Sequence, residues 1–349
     1  MVNQGIGERL DNFDVAKFLA IFLVVWGHVV QQSCMLKNPF DDFICQTIYT
    51  FHMPLFMGLC GFFFHKSIAK FDSIDDYIHC KLKRRLISLV LPMLSFGFVK
   101  TILSGNYSMM NYLLQAKGIW FLGVLAINTV AVLCILKCKA NSKAHNYYLY
   151  GLFVISIVLQ TVLYTGSGVF MFVFFCAGFF ASKNSCDVEA SNKLLLIAVI
   201  VYIIFDIAYN NLPGGRGSFS LNFVRYSLPN LIMLDCVKTI LGFLGSYIFL
   251  SVIRKIDWRN TNVYQYILLR GRYTLDIYLL NIVVLERFLG GLYRKFVSIY
   301  QVNIFYEYGF LWEVLSTFVV SVLITELLFK IGQAMRKNRI IRAVFFATK

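Results

Sequence analysis

The sequence predicts an all-helical protein that crosses a membrane many times, and three observations carry that prediction. Hydrophobic residues make up 58% of the 349-residue chain and charged residues only 15%, where soluble domains hold about half and about a quarter. Runs of about 18 to 22 apolar residues, long enough to cross roughly 30 Å of hydrocarbon, recur from end to end. Basic residues gather in alternate connections, as they do when loops fall on the two sides of a bilayer in turn. These features place about ten spans, near 13–33, 43–65, 84–104, 118–136, 147–164, 168–182, 194–211, 230–253, 272–288 and 309–331. The whole of 1–349 reads as one transmembrane domain with no appended soluble domain.

Charge placement orients the spans. Thirty-three Lys and Arg against eighteen Asp and Glu give a net charge of +15, which taken alone would suit nucleic acid. The distribution assigns it to topology instead, so membrane lipids and no nucleic acid are the expected partners. Lys66, Lys70, Lys81, Lys83, Arg84 and Arg85 follow the second span, and Lys137, Lys139 and Lys143 the fourth. Arg254, Lys255, Arg259, Arg270 and Arg272 follow the eighth, and Arg336, Lys337, Arg339 and Arg342 the last. The opposite side holds the scattered Lys37, Lys117, Arg216, Arg225, Arg287, Arg294 and Lys295. Both termini are therefore expected in the cytoplasm, as an even number of spans requires. The first apolar run is long, follows Arg9 and two aspartates, and has no small-residue cleavage site after it, so it is expected to remain as the first span.

The first span, DVAKFLAIFLVVWGHVVQQ, contains two ionisable residues, Lys17 and His28. They lie close to three helical turns apart, on one face, separated by about 16 Å of rise. A charged group at bilayer depth costs at least a few kcal/mol, so each is a candidate functional residue. Lys17 has an alternative: it can snorkel to the interface or pair with Asp14 one turn earlier. His28, preceded by Gly27, is expected to line a cavity. In the second span His52 stands just before Pro54, where a proline is expected to kink or open the helix. The two histidines fall at similar depth and would share one pocket. A neutral imidazole in a low dielectric can act as a general base, yet a proton relay in a transporter would use the same chemistry.

Other polar groups cluster toward the outer side: Lys100, Asp206, Asp235, Lys238 and Glu286. Asp235 and Lys238, one turn apart, either neutralise each other or, among many Tyr and Phe, suit a polyhydroxyl ligand. KLKRRLISLVLP at 81–92 reads either as topology determination or as a site for a phosphate-bearing ligand. NLPGGRGSFSLN at 211–222 lacks the Lys-Ser/Thr and the preceding strand of a phosphate loop, and reads as an outer loop or lid. Nine cysteines lie mostly within spans as small hydrophobes, and no metal-ligand spacing occurs. Cys34 and Cys45 both fall near the outer face, where an oxidising compartment would permit a disulfide if the geometry allowed.

At these residues the chain resembles membrane acyltransferase family 3, the polytopic enzymes that acylate bacterial surface glycans. RLDNFDVAKFLAIFLVVWGH resembles the opening signature, with Lys17 and His28 as its basic residue and histidine. FHMPLFMGLCGFFF resembles the second-span motif, RRLISLVLP the basic helix start, IWFL at 119–122 the tryptophan motif, and GRYTLDIYLLN at 271–281 the late glycine-to-tyrosine motif. The resemblance implies a bacterial plasma-membrane enzyme that uses cytoplasmic acetyl-CoA as donor and a sugar hydroxyl as acceptor, on an exported or lipid-linked glycan. It implies His28 as catalytic base, Lys17 as the partner basic position, and His52 as the second-span histidine. Arg84 and Arg85 would meet the donor phosphates, and Trp120 and Tyr278 would join Asp206, Asp235 and Glu286 around the substrate. Two positions depart from the pattern: Cys60 stands where many members have serine, and Asn281 where many have histidine. Donor inside and acceptor outside leave two routes open, a pantetheine arm threading up toward His28 or an acyl group carried on His28 or Cys60. A transporter or exporter of a glycan is the alternative reading, against which no two-half symmetry is visible.

Overall fold

The computed structural model describes residues 2–34, 41–140, 151, 154–156, 158, 167–184, 191–212, 227–300 and 302–347. Among them all regular structure is helical. In chain order the elements are α1 (Val2–Ser33), α2 (Phe43–Ile68), α3 (Ile74–Ser104), α4 (Met109–Lys117), α5 (Trp120–Ala140), α6 (Ser167–Lys183) and α7 (Asn192–Asn211). They continue with α8 (Leu228–Lys255), α9 (Tyr264–Gly271), α10 (Thr274–Leu280), a π-helix (Asn281–Leu289), α11 (Gly290–Tyr300), α12 (Phe310–Lys337) and α13 (Arg339–Phe346).

Among the described residues seven helices are long and apolar enough to cross a membrane: Phe13–Ser33, Phe43–Ile68, Ile74–Ser104, Trp120–Cys138, Asn192–Asn211, Pro229–Lys255 and Phe310–Lys337. Each coincides with one of the spans read from the sequence. Span 168–182 corresponds to a shorter apolar helix, Gly168–Lys183, and most of 147–164 lies outside the described residues. Span 272–288 takes a different form. It starts as α10, widens into the π-helix at Asn281 and passes into α11. Helix ends follow local chemistry. Asp42 Oδ1 accepts the Cys45 amide at 2.8 Å, and Ser191 Oγ accepts the Leu194 amide at 3.2 Å, each covering a donor that the first turn leaves unmet. Gly105, at φ 70°, ends α3 in the left-handed conformation.

The chain divides into two compact units. The first comprises Met1–His52, Val188–Gly217 and Ile240–Asn338. Its centre is α1, which packs against α9, α10, the π-helix, α11 and α12. Val30, Ile44, Cys45 and Ile48 form a buried cluster, with Leu23, Trp26, Tyr49 and Val314 packed around it. Trp26 Nε1 donates to Thr317 Oγ1 at 3.0 Å, and Phe22, Trp26 and Phe318 meet edge to face. Close packing and interhelical hydrogen bonds of this kind hold helices together where lipid supplies no hydrophobic drive between them.

The second unit comprises Met53–Asp187, Ser218–Thr239 and Arg339–Lys349. Here α2 and α6 cross through glycine. A Cβ on Gly61 would lie 1.9 Å from the Phe175 carbonyl oxygen, and one on Gly178 would lie 1.8 Å from that of Gly58. Gly58 and Gly61 of the second-span motif therefore act as a backbone-to-backbone contact, the small-residue device of membrane helices. Phe64 packs on Phe175, Phe179 and Tyr77 beside the crossing. The amphipathic α13 lies along α3, with Phe345 and Phe346 against Phe96 and Ser95 Oγ donating to the Val344 carbonyl at 2.8 Å.

Candidate active site

In the first unit α1 and α2 bring His28 and His52 against one aromatic ring, Tyr49. The Tyr49 ring lies edge to face with both, at centroid separations of 6.3 Å to His28 and 4.7 Å to His52. Gly27 makes room for it, since a Cβ there would stand 2.9 Å from Tyr49 Cε2. The Tyr49 hydroxyl donates to Gln31 Oε1 at 3.1 Å, so the ring is fixed at both ends. His28 is half-buried, whereas His52 is 2% exposed. His52 Nδ1 lies 2.7 Å from the Ile48 carbonyl oxygen. A carbonyl only accepts, so Nδ1 carries the proton in this contact. Around Pro54 the helix runs unbroken from Phe43 to Ile68, in contrast to the opening expected there. One turn before Pro54, Thr50 Oγ1 meets the Tyr202 hydroxyl of α7 at 2.6 Å. That contact turns one face of α7 toward α2, and Asp206, one turn on from Tyr202, shares the face.

At the other end of α1 every named charge has a partner. Lys17 Nζ binds Asp14 Oδ1 at 2.7 Å, the pairing anticipated as its alternative role. Gly271 of the late motif closes on this turn: a Cβ there would lie 2.4 Å from the Asp14 carbonyl oxygen. Next to it Arg270, 7% exposed, places its guanidinium over the Tyr266 ring and donates to Glu326 Oε2 at 2.5 and 2.8 Å. The fully buried Asp276 receives Arg336 through a two-pronged pairing. Such fork-to-carboxylate geometry is the strong form of an ion pair. Arg270 and Arg336, counted above as topology determinants, thus serve the interior of the first unit.

Asn281, the departure from the family pattern, opens the π-helix. It is fully buried, and neither Oδ1 nor Nδ2 has a hydrogen-bond partner. π-helical turns recur at functional sites, and a buried unmet amide costs about 1–3 kcal/mol, so Asn281 becomes a candidate functional residue to which the sequence reading gave no role. Tyr49 is the other such residue. Its spacing, three before His52, was the available signal. Asp206 accepts a long 3.4 Å contact from Asn210 Nδ2, and its Oδ1 is buried without a hydrogen bond. Tyr278 is buried in α10, and the Glu286 side chain lies outside the described residues. Cys34 and Cys45 are free thiols. Among the described residues no three His, Cys, Asp or Glu converge on a metal position.

The second unit holds the remaining candidates. Arg84 is exposed about three turns into α3, and Arg85 is half-buried, its guanidinium 4.6 Å from the Phe64 ring centroid and its Nε 3.4 Å from Thr129 Oγ1. Trp120 is half-buried and edge-on to Phe121, whose ring in turn meets Phe56. Asp235, Lys238 and Lys100 are all buried. Lys100 Nζ comes within 3.3 Å of where a Gly118 Cβ would stand, which puts it against the start of the tryptophan motif.

Membrane-crossing helices that hold two histidines and an unmet buried amide within the first unit mark a candidate membrane-embedded site. Comparison with known proteins gives the family: residues 10–330 match the acyltransferase 3 domain, and the chain belongs to this acyltransferase family. It is similar to nodulation protein NolL of Sinorhizobium fredii, 31% identical over 99 residues that cover 26% of this chain and 24% of that protein. It is also similar to NolL of Mesorhizobium japonicum, 33% identical over 94 residues covering 26% and 23%. The matched stretch spans about a quarter of the length of these curated relatives. No solved structure matches the chain.

Proposed function

We propose that this acyltransferase moves an acetyl group from cytoplasmic acetyl-CoA to a sugar hydroxyl of a surface or lipid-linked glycan, with His28 as general base. The observation that carries the reading is the His28–Tyr49–His52 arrangement in the first unit. In the reaction the acceptor hydroxyl gives its proton to the imidazole as its oxygen attacks the thioester carbonyl. The carbon–sulfur bond breaks, and the coenzyme A thiolate takes the proton from the imidazolium. Tyr49 holds the His28 ring in place, and His52 packs against Tyr49 in turn. Within the first unit Asn281, Asp206, Tyr278 and Glu286 supply polar contacts for the acceptor. Arg84 and Arg85 meet the donor's phosphates, a task suited to guanidinium. Lys17 holds the inner end of α1 through Asp14.

The protein sits in the bacterial plasma membrane with both termini in the cytoplasm, the orientation that its clustered basic residues favour. Purified protein given acetyl-CoA and a glycan acceptor is expected to release coenzyme A only when both are present, and His28→Ala is expected to stop that release. Movement of glycan across proteoliposomes without any acyl donor would instead favour the transport reading.

A further inference from the structure

We infer that Gln46 of α2 and Asp206 and Asn210 of α7 form a specificity site that grips two adjacent hydroxyls of the sugar other than the one acylated; this rests on the acyl-transfer reading above. All three belong to the first unit, within Met1–His52 and Val188–Gly217. The two helices are pinned together at one point. Thr50 Oγ1 gives its own proton to the Thr47 carbonyl at 2.7 Å, so at 2.6 Å the Tyr202 hydroxyl is the donor to Thr50. Gln46 precedes Thr50 by one turn, and Asp206 and Asn210 follow Tyr202 by one turn and by two, so each lies on the face that its helix turns toward the other. The expected alternation of spans sends α7 against the direction of α2. Gln46 and Asp206 therefore come level with each other, about 6 Å from the pin.

The hydrogen bonds left open here select the ligand. Gln46 is 8% exposed and its Nε2 has no hydrogen-bond partner, and Asp206 Oδ1 and Asn210 Oδ1 are buried without one as well. One donor and two acceptors are therefore unmet. Asn210 Nδ2 turns to Asp206 Oδ2 at 3.4 Å, which holds the carboxylate and the carboxamide side by side. A phosphate or carboxylate ligand brings acceptors alone and would meet the Asp206 carboxylate. An ammonium brings donors alone and would leave the Gln46 N–H group facing a cation. A hydroxyl does both. One hydroxyl that accepts from Gln46 Nε2 and donates to Asp206 Oδ1, with its neighbour donating to Asn210 Oδ1, completes all three groups, and adjacent hydroxyls are the repeating feature of a sugar ring. Position ties the site to the reaction. Gln46 stands one turn before Tyr49, whose ring meets His28 and His52. A sugar held at Gln46 keeps its remaining hydroxyls within about two turns, roughly 9 Å along α2, of His52.

Saturation-transfer NMR of the purified full-length protein tests this, in a detergent without a sugar headgroup and with the methyl glycosides of glucose, galactose, mannose and rhamnose as probes. At least one is expected to bind wild type, and to bind about fivefold more weakly to Gln46→Leu and to Asn210→Leu. Among its monodeoxy forms, the two that lack adjacent hydroxyls should bind wild type more weakly by the same factor. Gln46→Leu should no longer distinguish the form whose missing hydroxyl it met, a coupling that a merely structural role would not produce. Gln46→Leu removes an unmet buried donor, so its melting temperature is expected to equal or exceed that of wild type, which controls for folding. Equal binding by Gln46→Leu and wild type, no binding of any probe by wild type, or undiminished binding of every monodeoxy form would each overturn the inference. His28→Ala separates the two claims, because it is expected to bind the glycoside as wild type does whatever becomes of acyl transfer.

Discussion

The two ends of α1 solve the problem of polar groups in a membrane in opposite ways. At the N-terminal end Lys17 is held by Asp14, Arg270 by Glu326 and Arg336 by Asp276, each within ion-pair reach. Toward the C-terminal half of α1, His28 meets the Tyr49 ring, which also meets His52, and the π-helix that packs against α1 opens with the unmet amide of Asn281. Matched charges hold a shape. Polar groups left unmatched in the interior cost stability and are kept where a substrate completes them.

If that contrast is right, substitutions at the two ends should fail differently. The largest effect belongs to His28→Ala, which is expected to lower acyl transfer at least a hundredfold with the melting temperature unchanged, since general-base contributions run about 10²–10⁴-fold. Asp276→Ala should do the reverse. It strands the Arg336 guanidinium and is expected to cost about 3 kcal/mol of stability, seen as a lowered melting temperature in detergent and less protein in the membrane. Asn281→Leu is expected to cut transfer about tenfold while leaving stability equal or raised, because it removes an unsatisfied amide; unchanged activity would return Asn281 to a packing role. Tyr306→Phe sharpens the structural side. Burial, and then the Asp42 carboxylate it faces, hold the Tyr306 phenol well above its ordinary range, so it stays protonated and donates to Asp42 Oδ2 at 2.8 Å throughout the usual pH span. Losing that donor should cost about 1–2 kcal/mol with little effect on turnover. Smallest is Tyr49→Phe, which keeps the ring against both histidines and gives up the Gln31 bond. A two- to threefold loss of turnover is expected, about half a kcal/mol.

Hydropathy located α1, α2, α7, α8 and α12 because a long apolar run is a property of consecutive residues. It described 272–288 less well, since the change of register at Asn281 depends on packing against α1 and α12 rather than on local composition. The same limit explains the arginines. Arg270 and Arg336 looked like interfacial charges, and only the fold brings them to Glu326 and Asp276, fifty-six and sixty residues distant. Lys17 was readable because its partner lies one turn away. His28 and His52 stood out as ionisable residues in apolar runs, whereas Tyr49 did not, being one of twenty tyrosines. Gly58 and Gly61 were visible as part of a motif, and the α2–α6 crossing supplies the reason for them.

The most direct test of the central claim is the O-acyl content of purified surface glycans, read by NMR and mass spectrometry from cells that express wild type, His28→Ala or neither. Ester signals with wild type alone, at equal protein levels, are the predicted result and would name the acyl group and the hydroxyl together. Ester signals of equal intensity with His28→Ala would contradict the account, because the imidazole would then have no part in the transfer.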